Sequence, residues 1–290
     1  MILVTGATGV VGTALIPELL QRGHTVRALV RDPRRLGAQR VNVQIALVDL
    51  GDPHGLRHAL HGVETVIHLG ATIRDQPPRR LEEVNGLGTA RLLRAAERSG
   101  VQRFVFFSAI GATSFQRTRY FRSKALAEQA VADADLRSTV IAPSIVYDPH
   151  DHWISWLRRL ALLPVLPISG SGRAAYQPIW ARDAAAATAA ALDRNEGSER
   201  FELAGPETLT YEQMALTVAA SAGRQRRLVH VPLPLVRTAL IWLRRIWGET
   251  AFATWEEAEL MEVPMTSERG SADAELLGVE PRRMIEVLGN

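Results

Sequence analysis

Residues 4–12 read VTGATGVVG, and this stretch decides the fold. It begins inside a short apolar run, Ile2-Leu3-Val4-Thr5, and leads into a helical pattern that lasts to about Gln21. Gly6, Gly9 and Gly12 mark the junction. Glycines at that point let backbone amides, those of Thr8 and Val10 among them, come close to a pyrophosphate. The N-terminus of the following helix adds favourable partial positive charge. Three glycines alone also describe an ordinary structural turn. The strand before them and the helix after them favour a nucleotide-binding turn.

Working outward, Thr25 to Val30, Val43 to Val48, Thr65 to Leu69, Phe104 to Phe107 and Leu136 to Ala142 read as further strands. Helical stretches separate most of them, including Leu81 to Arg98 and Arg119 to Ala132. Apolar strands alternating with helices imply an α/β Rossmann-type fold, a doubly wound parallel sheet with helices on both faces. The second half is less regular. Trp153 to Leu163 reads as a helix stopped by Pro164. ISGSGRAAYQPIW (168–180) reads as a glycine-rich loop and a strand. Asp183 is expected to cap the alanine-rich helix that follows. Phe201 to Leu203 is a candidate last strand of the sheet, and beyond Gly205-Pro206 the chain reads as mostly helical. The expected organisation is a dinucleotide domain over 1–146, to which 176–204 returns. A smaller, mostly helical part comprises 147–175 and 205–290.

The chain has 290 residues, 47% of them hydrophobic, and a formal net charge of +3. That suits a soluble globular protein and gives no reason to expect a nucleic acid partner. No apolar run reaches the roughly 18 residues of a membrane-spanning helix. There is no cysteine, hence no disulfide and no thiolate metal site. With the first strand starting at Ile2, the simplest expectation is a cytoplasmic protein without a signal peptide.

The second strand ends in ALVRDP (28–33). A dinucleotide fold that prefers NAD carries an acid here for the adenosine ribose hydroxyls. Arg31 stands at that point, with Arg34 and Arg35 close behind. A guanidinium suits a ribose 2′-phosphate, which it grips with two parallel bonds, so NADP is favoured over NAD. Asp32 is the competing candidate for the ribose. At the end of the third strand come Asp49 and Leu50. The Asp49 carboxylate can accept from an adenine amino group, or it can start the next turn.

Lys124 is the only lysine among 34 lysines and arginines. It lies four residues after Tyr120 in YFRSK, so the two share a helix face. A tyrosine with a pKa near 10 is a poor base at neutral pH. A neighbouring ammonium is expected to lower that pKa by favouring the phenolate. Such a pair can pass a proton to or from a substrate oxygen while a hydride moves at carbon. A compact ammonium also reaches ribose hydroxyls in a way that arginine's wide fork does not.

With TGATGVVG, the Asp49-Leu50 pair, HLGA (68–71) and YFRSK together, the chain resembles the short-chain dehydrogenase/reductase superfamily. It looks most like the atypical branch, similar to NAD-dependent epimerase/dehydratases, that includes the nucleotide-binding accessory subunit of respiratory complex I and its bacterial relatives. FSAIGA (107–112), APSIVYDPHD (142–151), SGSGRAAYQPIWARDAA (169–185), FELAGPETLTYEQM (201–214) and AELLGVEP (274–281) carry that closer likeness. The resemblance implies an NAD(P) site. In it, Gly70 belongs to the cofactor edge, Pro143 lies against the nicotinamide, Tyr120 is the general acid/base, Lys124 is its partner on the ribose, and Ser108 is the serine after the fifth strand. Ile110 occupies the usual Ser/Thr position, with Thr113 or Ser114 as substitutes. Asp148 stands where relatives carry glycine.

Three features lie outside that pattern. DPHDHW (148–153) gathers Asp148, His150, Asp151 and His152, but its spacing matches no common metal-ligand pattern and reads as a polar loop. His54, His58 and His61 read as a solvated helix face. Between Arg224 and Trp247 there are arginines at 224, 226, 227, 237, 244 and 245 and no acid. On a helical wheel, 235–247 sets an apolar side against Arg237, Arg244 and Arg245. That arrangement suits packing on the rest of the protein, or peripheral contact with a membrane interface. The expected function is NADP(H)-dependent oxidation or reduction of a small-molecule alcohol or carbonyl. The alternative is a non-catalytic NADP(H)-binding protein associated with a membrane respiratory or quinone-pathway complex.

Overall fold

The computed structural model describes residues 1–194, 198–238 and 255–289. The sheet strands are β1 (Ile2–Thr5), β2 (Val26–Val30), β3 (Gln44–Leu47), β4 (Thr65–His68), β5 (Arg103–Phe107) and β6 (Arg137–Pro143), which alternate with α1 (Val10–Gln21), α2 (Pro53–Ala59), α3 (Gly88–Arg98) and α4 (Arg119–Ala132). The short strands β7 (Val146–Tyr147), β8 (Val165–Ser169), β9 (Ala175–Tyr176) and β10 (Ile179–Trp180) follow, with α5 (His152–Leu160) among them. Then come α6 (Ala181–Asp193), β11 (Glu199–Leu203), β12 (Leu209–Thr210), α7 (Tyr211–Ser221) and β13 (Arg227–Val231). Seven parallel strands form the main sheet in the order β11-β6-β5-β4-β1-β2-β3. The order reverses beside β1, and a crevice opens at the carboxyl ends of β1 and β4.

Side chains alternate across the sheet with the two-residue period of a strand. Ile2, Val4, Val26, Ala28, Val105 and Phe107 face α1 and α6. Leu3, Leu29, Phe104 and Phe106 face α2, α3 and α4. A second core, with Tyr147, Leu157, Tyr176, Met214 and Met284, binds the later elements together.

Several expectations are corrected. Leu81 to Arg98 is not one regular helix: a π-helical turn over Glu83–Leu87 precedes α3. Asp183 does not cap α6. Trp180 is the capping residue, without a side-chain bond, and Asp183 lies inside the first turn. There its carboxylate accepts from the backbone N–H (2.9 Å) and the guanidinium (3.1 Å) of Arg282. It thus tethers the C-terminal segment, with its negative charge at the favourable end of the helix. The region after Gly205 also contains β13, which pairs in parallel with β8. His61 lies beyond the end of α2. Of the basic segment 235–247, residues 239–247 lie outside the described ones. Among the described residues, no helix is long and apolar enough to cross a membrane.

The far end of α6 is closed from within. Arg103, 4% exposed, reaches from β5 and donates to the carbonyls of Ala191 (2.7 Å) and Leu192 (2.6 Å) and to the Thr139 hydroxyl (3.1 Å). These carbonyls belong to the last turn, which has no partners inside the helix. Replacing Arg103 by Met should lower unfolding free energy by about 2–4 kcal/mol, since a charged donor is lost and buried acceptors are stranded. Urea unfolding measures this; a loss below about 0.5 kcal/mol would mean that water or another donor closes the helix.

Candidate active site

The turn after β1 is tight because two backbones nearly touch. Gly6 has φ +69°, and a Cβ there would sit 2.7 Å from the Gly70 nitrogen. A Cβ on Gly12 would overlap the Gly6 carbonyl, so α1 can start this close only with glycine. The first backbone bond into α1 is Thr13 N–H to Gly9 O, 3.0 Å, and no side chain caps the helix. Its first N–H groups, Val10 included, therefore lack acceptors beside Thr8 and Gly9. An open set of donors at a helix N-terminus fits a pyrophosphate.

A cleft of 980 Å³ extends from this turn. Of the predicted cofactor residues, Gly6, Thr8, Gly9, Arg31, Asp49, Leu50 and Gly70 line it; Val10, Gly12, Lys124 and Pro143 do not. At the end of β2 the neighbouring charges separate. Asp32 caps the 3₁₀ turn that follows and pairs with the Arg34 guanidinium (2.9 Å). Arg31 and Arg35 line the cleft. Asp49 does start a turn, accepting from the Gly51 N–H at 2.6 Å. It also accepts from Arg79 at 2.5 Å. Burial works against its charge, but the Arg79 and Gly51 bonds and the charges of Arg79 and Arg31 outweigh it and hold the carboxyl below its usual range.

Beneath the cleft is a group whose role the sequence did not reveal. His68 is fully buried. Its Nδ1 lies 2.5 Å from the Thr5 hydroxyl and its Nε2 2.9 Å from the Thr89 hydroxyl. Thr89 donates to the Asn85 carbonyl at 2.6 Å, so it must accept from Nε2–H. Thr5 then donates to Nδ1 and accepts from the Gly70 N–H at 3.2 Å. Every donor is used once, and the imidazole is neutral. Burial first, and then the Lys124 charge, push its pKa down to about 3. Asn85, also buried, donates to the Thr72 carbonyl (2.8 Å) and the Ser123 hydroxyl (3.0 Å) and accepts from the Thr72 N–H (2.8 Å). It thereby joins the cleft wall to α4.

Tyr120 and Lys124 lie on α4 beside the end of β5. Lys124 is 3% exposed and donates to the Phe107 carbonyl at 2.5 Å. Its Nζ is 4.9 Å from the Phe106 ring centre and 6.0 Å from that of Tyr120. Burial pulls its pKa down to about 7. Tyr120 packs near Ala109, Phe121, Leu260 and Val263. Contrary to the expected lowering by Lys124, burial pushes the Tyr120 pKa up to about 12. Ser108 is buried, and its hydroxyl has no partner among the described residues. The Pro143 carbonyl accepts from the Ile110 N–H at 2.9 Å, fixing the loop after β5 against β6. In the 148–153 loop, Asp151 caps α5 through the Ile154 N–H (2.6 Å), and Asp148 accepts from Trp180 Nε1 (3.2 Å).

Residues 6–155 match the family model described as NAD(P)H-binding, and the chain belongs to that family. It is 32% identical over 244 residues to the ceramide reductase of Caulobacter vibrioides, covering 82% of this chain and 76% of that protein. It is 28% identical to the mitochondrial NADH dehydrogenase [ubiquinone] 1 alpha subcomplex subunit 9 of Arabidopsis thaliana, with 81% of this chain and 61% of that protein covered. The structure of an NADPH-dependent quinone oxidoreductase from Escherichia coli has the same fold, with a TM-score of 0.75 at 20% identity over 99% of this chain and 98% of that one.

The buried imidazole gives a pH signature. The unfolded chain takes a proton on His68 below about pH 6.5, which the fold refuses until about pH 3. Stability is therefore full above pH 6.5 and falls as pH drops towards 3, by roughly 4–5 kcal/mol across that window. His68→Gln should flatten this part of the profile. Urea midpoints at successive pH values test it, and parallel profiles for the two proteins would contradict it.

Proposed function

We propose that the protein is an NADP(H)-dependent oxidoreductase that interconverts a small-molecule carbonyl and its alcohol, with Tyr120 as the proton donor in the reductive direction. The observation that carries this reading is a half-buried phenol packed in an apolar cluster, with the nitrogen of the chain's one lysine 6.0 Å from its ring centre. A phenol with a raised pKa stays protonated until a carbonyl oxygen begins to gain charge. When bound, the cofactor supplies or accepts the hydride. Tyr120 gives its proton to the substrate oxygen, and Lys124 in its protonated form stabilises the phenolate left behind. Ser108, with its unpartnered buried hydroxyl, is the candidate to orient that oxygen. The first turn of α1, including Val10 and Gly12, holds the pyrophosphate, and Pro143 borders the nicotinamide. Arg31 takes the 2′-phosphate.

The apolar surroundings of Tyr120 suit a carbonyl on a largely apolar molecule, and one relative is a ceramide reductase. Tyr120→Phe should lower kcat by about 10²–10⁴ with NADPH affinity unchanged. Unaltered turnover would remove Tyr120 from the mechanism. Arg31→Ala should weaken NADPH about tenfold and leave NADH unaffected; equal effects on the two cofactors would defeat the 2′-phosphate assignment.

A second reading is a non-catalytic NADP(H)-binding subunit of a membrane respiratory or quinone-pathway complex. It is favoured by the Lys124 bond to the Phe107 carbonyl, by Ile110 at the usual Ser/Thr position, and by the likeness to the Arabidopsis NADH dehydrogenase subunit.

A further inference from the structure

Residues 75–82 form a hairpin along the outer edge of the cleft. Gln76 and Arg79 exchange backbone bonds, Gln76 N–H to Arg79 O (2.9 Å) and Arg79 N–H to Gln76 O (2.8 Å), with two prolines at the tip. The base is clamped. Arg119 donates to Asp75 (2.9 and 3.1 Å) and to Glu82 (2.6 and 2.7 Å) through four hydrogen bonds. The hairpin therefore presents Gln76 and Arg79 from a fixed backbone.

Both side chains reach across the cleft, and both land on residues that are candidates for the adenosine end of the cofactor. Arg31 donates to the Gln76 side chain at 3.1 Å. Arg79 donates to Asp49 at 2.5 Å. Arg79 also lies against Gly51, where a Cβ would be 3.3 Å from its Nη2, so the missing side chain leaves room for the guanidinium. Arg31 and Arg79 are thus attached to the two ends of one hydrogen-bonded hairpin rung.

We propose that Arg79 is a second 2′-phosphate-binding residue, presented by the hairpin opposite Arg31 and using Asp49 as its counter-ion until the phosphate arrives. The exchange is favourable for both partners. A dianionic phosphate offers a guanidinium more acceptor oxygens than one shared carboxylate does. The Asp49 carboxylate that Arg79 gives up is then available to the adenine amino group. The inference rests on the NADP reading above and extends it to a residue outside the segment following β2, where NADP preference is ordinarily set. Arg119, next in sequence to Tyr120, holds the hairpin in place and so ties the cofactor wall to the helix that carries the tyrosine.

The test uses the full chain and two fragments, 2′,5′-ADP and 5′-AMP, titrated calorimetrically. Arg79→Gln should weaken 2′,5′-ADP about tenfold and change 5′-AMP less than twofold. Arg80→Gln, an equal change of charge on the same hairpin, should alter neither. An unchanged or tightened affinity of Arg79→Gln for 2′,5′-ADP would overturn the proposal, the latter because it would make Arg79 only a competitor for Asp49. Equal weakening of both fragments would overturn it as well. Arg31→Ala separates the two claims. If it abolishes the preference for 2′,5′-ADP while Arg79→Gln does not weaken that ligand, the NADP reading stands and this inference fails. If the wild type does not prefer 2′,5′-ADP at all, the reading beneath it fails too.

Discussion

The cleft exists because β1 and β4 are adjacent strands whose helices leave on opposite sides, and His68 holds their ends together there. The imidazole sits between a β1 hydroxyl and a hydroxyl of α3. Its neutral form completes an unbroken run of donors from the Gly70 N–H to the Asn85 carbonyl. Gly70 is also the backbone that Gly6 nearly touches. The spacing of the glycine turn after β1 is therefore set from below by a buried polar chain as well as from above by glycines. Such a chain is stable only when every member is satisfied, since one orphaned group in an apolar interior costs about 1–3 kcal/mol.

From this junction the site extends along two arms. One runs through the ends of β2 and β3, where Arg31, Arg35 and Asp49 line the cleft. The other runs through Asn85 and Ser123 into α4, whose Ser123 hydroxyl donates to the Tyr120 carbonyl at 2.7 Å. The hairpin of 75–82 closes the circuit, bonded to the first arm by Gln76 and Arg79 and to the second by Arg119. The cleft wall and the helix of the candidate acid are thus parts of one connected set of polar contacts.

The first half of the fold was legible because parallel strands buried on both faces appear as short continuous apolar runs. The extent of α4 and the glycine turn were readable for the same reason: each is set by local sequence. What escaped depends on distant partners. β13 looked like part of a helical region because its pairing strand, β8, lies far back in the chain. Asp183 looked like a cap because its true partner, Arg282, is near the C-terminus. His68 sits in an apolar run and carries no sign that two threonines from other elements will meet it. Arg79 belongs to RDQPPRR (74–80), whose paired prolines between arginines and an acid mark a charged turn, but nothing local shows that the turn faces a cleft. The Tyr120–Lys124 spacing was plain. Their electrostatics were not, because burial, invisible in a spacing argument, pushes the two pKa values in opposite directions.

The central claim is that this cleft selects a dinucleotide by its 2′-phosphate. Its most direct test is calorimetric titration of the unmodified chain with NADPH and NADH at low and moderate salt. The account predicts that NADPH binds at least about tenfold more tightly, and that the advantage shrinks as salt screens the arginines. Equal affinities, or tighter NADH binding at every salt concentration, would contradict it.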